Sequence, residues 1–409
     1  MTPAARPELC CILAPLENMY SDSSLPPRLL PPRSLHANMA PPQLQHVNLS
    51  PAELSFLRST LCQDPPIRFD HTKGPKDFRS MRAEYDVLPG ANGSARIALE
   101  DGTEALVGVK AEVEKSQWRP SGDAQLRDAD ADANDKDAKA KGQNSWMEMS
   151  VEIPGFRDDD ALPVFLASML TESLLASGGL KDRLYINSRF HWKLYIDVGG
   201  SFLVHISMLT VQILLLSPPL SYPLALLSMT THLALLTSRL PALKSDKDED
   251  PLFDDDWDAA VFLYPKSKAN ASEDKPPVIV LAMAVGPNII FDPCMEELAV
   301  ADAVLAIACA NATASSSRAR IVSVRTIDPP SHLTPPGVPN SMNSATGGTV
   351  PASSAEALTQ RELFANSGVW TPPRGGMKRG LISQVVKMVV EEGGVAEEVI
   401  SALHAIELG

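Results

Sequence analysis

The segment from Phe202 to Leu236 contains no Asp, Glu, Lys or Arg, so the chain must bury it in a membrane or in a protein core. A membrane-spanning helix needs about 20 consecutive apolar residues. Here Gln212, the pair Pro218-Pro219 and Pro223 interrupt the apolar run. We therefore expect a buried strand, a turn and a buried helix, because runs of this length between breakers are typical of a core. A membrane protein anchored by this segment is the alternative.

The charge of the chain limits how it can contact nucleic acid. Its formal net charge is −14, and neutralising phosphates requires Lys and Arg. Any contact with RNA must therefore come from a local basic patch or from partner chains. The five cysteines are odd in number and, apart from the adjacent Cys10-Cys11, lack metal-ligand spacing. They indicate reduced thiols in a cytosolic or nuclear protein.

Polar and proline-rich segments divide the chain. Such segments cannot bury enough apolar surface to fold on their own. We expect a disordered tail over 1–48, a folded domain over 49–327 with polar insertions at 114–145 and 244–258, a disordered Pro/Ser/Gly loop over 328–358, and a helical C-terminal part of the same domain over 359–409.

Between these segments, strand and helix patterns alternate. Ser50-Pro51-Ala52-Glu53 is a capping-box opening for a helix, and Gly90-Ala91-Asn92-Gly93 is a turn between two strands. The element order is β-β-β-β-α-β-α followed by β-β-β-β-α, which predicts an α+β fold with antiparallel-rich sheets and two similar halves. The individual predictions are strands at 83–88, 94–99, 105–113, 147–153, 192–198, 278–285, 288–291 and 304–310, and helices after 157, at 221–236 and at 381–408, the last broken by Gly393-Gly394.

No common catalytic motif is present. The sequence lacks a P-loop, a dinucleotide-binding fingerprint and an HExxH helix, and its eight histidines are too scattered to predict a metal site. His191 and His232 lie in apolar surroundings typical of core histidines. The acidic run from Asp292 to Glu297 could be a pair of catalytic carboxylates, but that role would need a partner group and a cleft. We expect a turn followed by a helix start instead. We predict no catalytic residues, no metal and no cofactor.

Several short motifs, taken in order, resemble the RNase PH-like subunits of the RNA exosome, and in particular their non-catalytic branch. The resemblance extends over roughly residues 50–408. The motifs are Pro66-Ile67-Arg68-Phe69-Asp70, Phe78-Arg79, the run from Glu84 to Arg96, the strand from Leu106 to Val113, Tyr195-Ile196-Asp197 with Leu214 to Ser217, Asp292-Pro293 with Glu296-Glu297, and Gly394 to Val399.

This resemblance implies an RNase PH-like fold with two pseudo-repeated halves. It also implies a hetero-hexameric ring of such subunits around an RNA channel, cap proteins of KH and OB type, and a location in the nucleus, the nucleolus and the cytoplasm. Active family members bind phosphate on a loop of Asp, then Gly-Gly-Thr-Arg, after the middle strand. The corresponding residues here, Ser217 to Pro223, include tandem prolines without N–H donors and lack Arg or Lys. We therefore predict a catalytically silent ring subunit, with an active phosphorolytic exoribonuclease as the alternative.

Four basic residues are candidates for touching RNA in such a channel: Arg157, Lys181, Arg183 and Arg189. They could equally be surface charges or members of interface salt bridges. The motif Arg68-Phe69-Asp70-His71-Thr72 lacks the second Arg of the family's Arg-x-Asp-Gly-Arg. This loss weakens any RNA-binding role for that loop.

The segment from Val198 to Gln212 interrupts a strand pattern. Without it, Tyr195-Ile196-Asp197 would continue directly into Ile213 to Ser217 as one buried strand. A Gly-Gly pair in the middle of a core strand is unfavourable. We hypothesise that the segment is a translated retained intron or an error in the gene model, and we expect its flanks to lie nearly in line. A genuine insertion is the alternative.

Overall fold

The computed structural model describes the chain from residue 48 to residue 407, with gaps. Residues 1–47 of the predicted tail, 117–141 of the first polar insertion and 199–212 of the interrupting segment lie outside the described residues. The described residues are 48–116, 142–157, 159–177, 179–198, 214–215, 221–245, 249–265, 275–311, 319–338, 340–344, 347–351, 353–364 and 368–407.

The first helix, α1, spans Pro51–Leu61 and begins where the sequence predicts. The Ser50 hydroxyl accepts from the Glu53 backbone N–H, and the Glu53 carboxylate accepts from the Ser50 N–H at 2.7 Å. This reciprocal cap satisfies two donors that a helix start leaves open. Leu54, Leu57 and Leu61 share one helical face and are buried.

The first sheet has six strands. They are β1 Met81–Tyr85, β2 Gly93–Leu99, β3 Glu104–Lys115, β4 Met147–Val151, β5 Phe190–Val198 and β6 Leu214–Leu215. The order is β1-β2-β3-β5-β4, with β6 also paired to β3, and only the pairing of β4 with β5 is parallel. The predicted strand at 83–88 is wrong at its end, because Asp86 has a φ of 54° and turns the chain after Tyr85.

Helix α2 (Ala161–Ser177) packs on β4, and the short α3 (Gly179–Arg183) follows it. Helix α4, Leu224–Thr237, is buried at every one of its 14 residues and packs against β2 and β3 of the first sheet. It also packs against strand β9, Val278–Val285, of a second sheet. The predicted buried helix is confirmed, although Pro223 precedes its first turn. Gly93 allows α4 to approach β2, since a Cβ there would lie 2.5 Å from Ser238 Cα. Within the described ranges, no helix is long and apolar enough to span a bilayer.

The second sheet consists of β9, β10 (Asn288–Phe291), β11 (Ala303–Ala310) and β12 (Arg320–Ile327). Its strand order is β10-β9-β11-β12, and it is antiparallel throughout. Val385 and Val389 of α7, with Val395 and Ala396 of α8, pack in one core cluster with its strands. Two antiparallel-rich sheets with packed helices confirm the predicted α+β class. The remaining elements are β7 Arg239–Leu240, β8 Val261–Phe262, α5 Met295–Leu298, α6 Ser354–Phe364, α7 Arg379–Val390 and α8 Val395–Glu407.

Part of the predicted disordered loop, 328–358, is folded onto the domain instead. Ser331 is completely buried and donates to the Ala301 carbonyl at 2.5 Å. Trp370 donates from Nε1 to Thr334 Oγ1 at 3.0 Å, and α6 begins inside the predicted loop at Ser354. Composition misled this prediction, because proline-rich chain without periodicity can still be held by a few buried polar contacts.

The acidic segment 244–258 is likewise more than a solvated insertion. The acidic side chains of its described residues, 249–258, are mostly exposed, but Phe253 packs on Trp192 with a distance of 4.9 Å between ring centroids. Leu243 and Phe253 form a bridge that closes the segment into a hairpin-like loop. One aromatic residue thus anchors a charged segment to the first sheet.

Strands β5 and β6 occupy the same edge of β3, one after the other. Gly108 of β3 pairs with Asp197, and Leu106 pairs with Leu214. In an uninterrupted antiparallel strand, the partner of Leu106 would lie two residues after Asp197, at position 199. The observed partner, Leu214, lies 15 residues beyond that position. The flanks of the interrupting segment therefore lie in line, as expected, and their offset equals the 15 residues from 198 to 212.

Candidate functional site

A buried guanidinium, Arg68, joins the loop after α1 to the start of α5. Its Nε and Nη2 donate to the two carboxylate oxygens of Glu297 at 3.0 and 2.9 Å. The other donors reach the carbonyls of Gly74 (3.3 Å), Asp77 (3.1 Å) and Asp292 (2.8 Å). All five N–H donors of Arg68 are thereby used.

A second arginine, Arg79, connects four parts of the fold. It binds both carboxylate oxygens of Asp292, from Nε at 2.9 Å and from Nη2 at 2.6 Å. Its Nη1 donates to Asp101 Oδ2 at 2.6 Å and to Ser221 Oγ at 2.8 Å. The arginine thus ties β10, the β2–β3 turn and the residues before α4 to the start of β1.

Burial and charge act in opposite directions on Asp292. Burial by itself would raise the pKa of this carboxyl, but the hydrogen bonds and charge of Arg79 outweigh burial and hold the pKa below its ordinary value of 3.8. Burial also raises the pKa of the nearby Cys294 thiol. Asp292 is therefore ionised and paired at neutral pH, and Cys294 is not a nucleophilic thiolate.

The acidic run from Asp292 to Glu297 is a turn and a helix start, as expected from the sequence. Asp292 has a φ of 46°, and Glu297 accepts from the Cys294 backbone N–H at 3.1 Å as part of a capping box. Sequence reasoning missed the two arginine partners. Their motifs had been identified separately, but nothing in the spacing showed that they meet.

The loop that binds phosphate in active family members is only partly described here, since residues 216–220 lie outside the described ranges. At its end, Ser221 Oγ is held by Arg79, and burial raises the pKa of the neighbouring Tyr222 hydroxyl. The motif from Arg68 to Thr72 also differs from the family's Arg-x-Asp-Gly-Arg, because Thr72 stands in place of the second Arg. The Thr72 hydroxyl donates to Asp70 at 2.7 Å, and this bond with that of its backbone N–H lowers the pKa of Asp70 to about 2.

Sequence comparison gives two curated relatives, whereas no family model matches the chain. Exosome complex component RRP42 of Saccharomyces cerevisiae is 27% identical over 268 residues, covering 64% of this chain and 82% of the yeast protein. Exosome complex component rrp42 of Schizosaccharomyces pombe is 28% identical over 283 residues, covering 66% and 80% of the two chains. The chain is similar to exosome complex components over about two thirds of its length.

A solved structure of the Archaeoglobus fulgidus exosome with RNA bound to the active site contains a chain that is 18% identical to this one. The match covers 81% of this chain and 97% of the archaeal chain, with a TM-score of 0.43.

The four basic residues suggested for RNA contact differ in how their side chains are engaged by partners inside the protein. Arg183 donates to the Leu263 carbonyl at 3.1 Å and lies over the Tyr264 ring, so it holds the segment before β9. Arg189 pairs with Asp250 at 2.9 Å. Arg157 is 80% exposed and pairs with Asp159 at 3.0 Å, two residues away. Lys181 donates from Nζ to Asn144 Oδ1 at 3.4 Å.

The two histidines expected in the core lie there. His191 stacks on Trp146 and its Nδ1 lies 2.9 Å from Ser116 Oγ. His232 places Nδ1 2.7 Å from the Pro276 carbonyl, and burial lowers the pKa of His232 to about 3. Among the residues that the structure describes, no three His, Cys, Asp or Glu side chains are grouped to hold a metal.

Proposed function

We propose that this chain is a structural, catalytically silent exosome subunit and a member of a hetero-hexameric ring of RNase PH-like subunits. In that role it helps to shape the channel through which RNA passes during 3′-to-5′ processing and decay. The similarity to two proteins named exosome complex components, over 82% and 80% of their lengths, carries the proposal. Cap proteins of KH and OB type, and a location in the nucleus, nucleolus and cytoplasm, belong to the same proposal.

The geometry supports catalytic silence. A phosphate substrate needs preorganised donors directed at it, but the donors of Arg68 are all used inside the fold and Arg79 is tied to Asp292, Asp101 and Ser221. The tandem prolines Pro218-Pro219 remove two backbone donors from the loop. Neither arginine can turn toward a phosphate without leaving a buried carboxylate unpaired, which is costly.

The proposal for RNA contacts is sharpened by the ion pairs. Lys181 and Arg157 remain the strongest of the four candidates, because Arg157 is exposed and its acidic partner is an equally exposed neighbour. Arg183 and Arg189 hold the segment between α4 and β9 in place. We infer that these two contribute more to the shape of the subunit than to RNA binding.

We expect the purified chain to release no nucleoside diphosphate from a poly(A) substrate in the presence of inorganic phosphate, because Arg68 and Arg79 are engaged inside the fold and the tandem prolines lack N–H donors. The measurement is the amount of ADP released, with an active phosphorolytic enzyme as the positive control. ADP release above that of a mock purification would favour the alternative, an active phosphorolytic exoribonuclease.

An exposed apolar surface fits the proposed ring. Phe56 of α1 is 71% exposed and Phe69 is 55% exposed, and both line a cleft of about 470 Å³ together with Leu49 and Ala52. Aromatic side chains exposed around a concave surface mark protein contacts. We propose that a neighbouring RNase PH-like subunit covers this cleft.

The double variant Phe56→Ser/Phe69→Ser should therefore lose most of its co-purifying RNase PH-like partners, about tenfold or more, because aromatic anchors dominate interface energy. Quantitative mass spectrometry of tagged complexes measures this. As a control, Leu333→Ser/Val350→Ser removes two other exposed apolar side chains (80% and 67%) and should retain the partners. Equal recovery of partners with both double variants would contradict the assignment of this cleft.

A further inference from the structure

A second concave surface is distinguished by the charge of its lining residues rather than by exposed apolar area. It is a cavity of about 1240 Å³ lined by Gly286 after β9, by Arg58 and Asp302, and by the segment from Thr371 to Lys378 that leads into α7. Ligand-binding cavities commonly range from about 300 to 1,000 Å³. This one is therefore large enough for a section of a polymer.

The floor of the cavity is electrically balanced. Arg58 Nη2 pairs with Asp302 Oδ1 at 2.7 Å, and the other carboxylate oxygen of Asp302 accepts from the Gly286 backbone N–H at 2.7 Å. Both oxygens of the acid are thus used and its charge is matched. The floor offers no net negative charge to repel an anion.

The wall of the cavity is cationic. Arg374 and Lys378 both line it, and both are exposed. The stretch from Thr371 to Val390 holds four basic residues and no Asp or Glu, in a chain whose net charge is −14. Within the described ranges, neither Arg374 nor Lys378 is in an ion pair. Such a local concentration of unmatched positive charge is the electrostatic footprint of a polyanion-binding surface.

The position of this cationic wall is set by a specific contact. Gly375 and Gly376 have φ values of 75° and 87°, which suit glycine. Gly375 lies against the His332 ring, so closely that an added Cβ would be 3.0 Å from Cε1. His332 Nε2 in turn lies 3.3 Å from the Asp302 carbonyl oxygen. The loop that carries Arg374 is therefore packed onto the floor of the cavity.

We propose that this cavity binds the phosphodiester backbone of single-stranded RNA through Arg374 and Lys378. The assignment of RNA, rather than another polyanion, rests on the proposed function. None of the described residues that line the cavity is aromatic, so it lacks the stacking platforms that hold bases. Binding is accordingly electrostatic, independent of sequence and sensitive to salt.

The test uses the complex reconstituted with its RNase PH-like partners and compares Arg374→Ala/Lys378→Ala with wild type. Fluorescence anisotropy with a 20-nucleotide oligouridylate at low and moderate salt should show affinity reduced about tenfold by the double variant. The dependence of log K on log salt should also become shallower by about 1.4, since each phosphate contact on a single strand contributes about 0.7. Lys76→Ala/Lys115→Ala removes the same charge from two other exposed lysines, and it should bind as wild type does.

Two further readouts distinguish the outcomes. Oligouridylate carrying 4-thiouridine should crosslink to peptides within residues 371–387, and the double variant should lose that crosslink. Equal affinity and equal crosslinking for wild type and the double variant would overturn this site alone, whereas a wild-type complex that fails to bind oligouridylate would overturn the proposed function as well. Polyglutamate bound as tightly as oligouridylate, with the same loss in the double variant, would reject RNA as the occupant.

Discussion

Replacing Arg79 with Met should destabilise this protein by about 3–5 kcal/mol, because it leaves the Asp292 carboxylate buried without its partner. The side chains of Arg79 and Asp292 are only 12% and 10% exposed, and the variant also breaks the bonds to Asp101 and Ser221. Pulse proteolysis in urea at nanomolar concentration measures the free energy of unfolding without interference from association.

The matched control is Arg157→Met. Its ion pair with Asp159 has side chains that are 80% and 72% exposed, so the change should alter stability by less than about 0.5 kcal/mol. The double variant Arg79→Met/Asp292→Asn should be less destabilised than the sum of the two single variants, since each removes the same interaction. Additive losses would show that the two side chains are not energetically coupled.

The pH dependence of the same pair follows from the sign of the pKa shift. The folded state holds the pKa of Asp292 below its ordinary value of 3.8, so the ion pair stabilises the fold at neutral pH and loses this contribution as pH falls below about 4. The difference in stability between wild type and Asp292→Asn should therefore be large at pH 7 and shrink toward pH 3. A difference that stays constant across this range would contradict the assignment.

Deleting the 15 residues from Val198 to Gln212 should give a chain that folds and is more stable by about 2 kcal/mol, the approximate closure entropy of a loop of that length. Asp197 would then be followed by Ile213, and the partners of β3 would run from Asp197 to Leu214 without an offset. Urea unfolding followed by pulse proteolysis measures the change. Transcripts that join the codons of Asp197 and Ile213 would show in addition that the shorter form exists in cells.

The sharpest control is a deletion shorter by one residue, from 199 to 212. It would bring β6 into the ladder one position out of register, and a one-residue slip places every following side chain on the opposite face of a sheet. This shorter deletion should be destabilised relative to the 15-residue deletion by about 2 kcal/mol or more. Equal stability of the two deletions would mean that the alignment of β5 and β6 along β3 has no energetic consequence.

Local chemistry made several elements predictable. The capping box at Ser50 defines the start of α1, and the alternating and apolar runs locate β2, β9 and β10 within a residue or two. The uncharged run after Ser221 predicts the fully buried α4. These features depend on hydrogen bonds and burial patterns within a few residues, so they are visible without knowledge of the fold.

Other features depended on contacts that the sequence could not show. The prediction extended β1 too far, to residue 88, because the positive φ of Asp86 is imposed by the hairpin geometry around it. The loop over 328–358 was taken as disordered because its order comes from long-range contacts such as that of Ser331 with Ala301. Composition reports the average tendency of a segment, whereas a single buried hydrogen bond can order it.

By itself, the sequence determined the α+β class, the family resemblance, the buried α4 and the place where β5 is interrupted, because each follows from short-range patterns or motif order. Only the tertiary structure decided that Arg68 and Arg79 close on Glu297 and Asp292, more than 200 positions away along the chain. It also decided that the glycine-rich loop carrying Arg374 packs over His332 at a cavity. Ion pairs and cavities form between segments distant in sequence, and their partners are set by how the two sheets pack around α4.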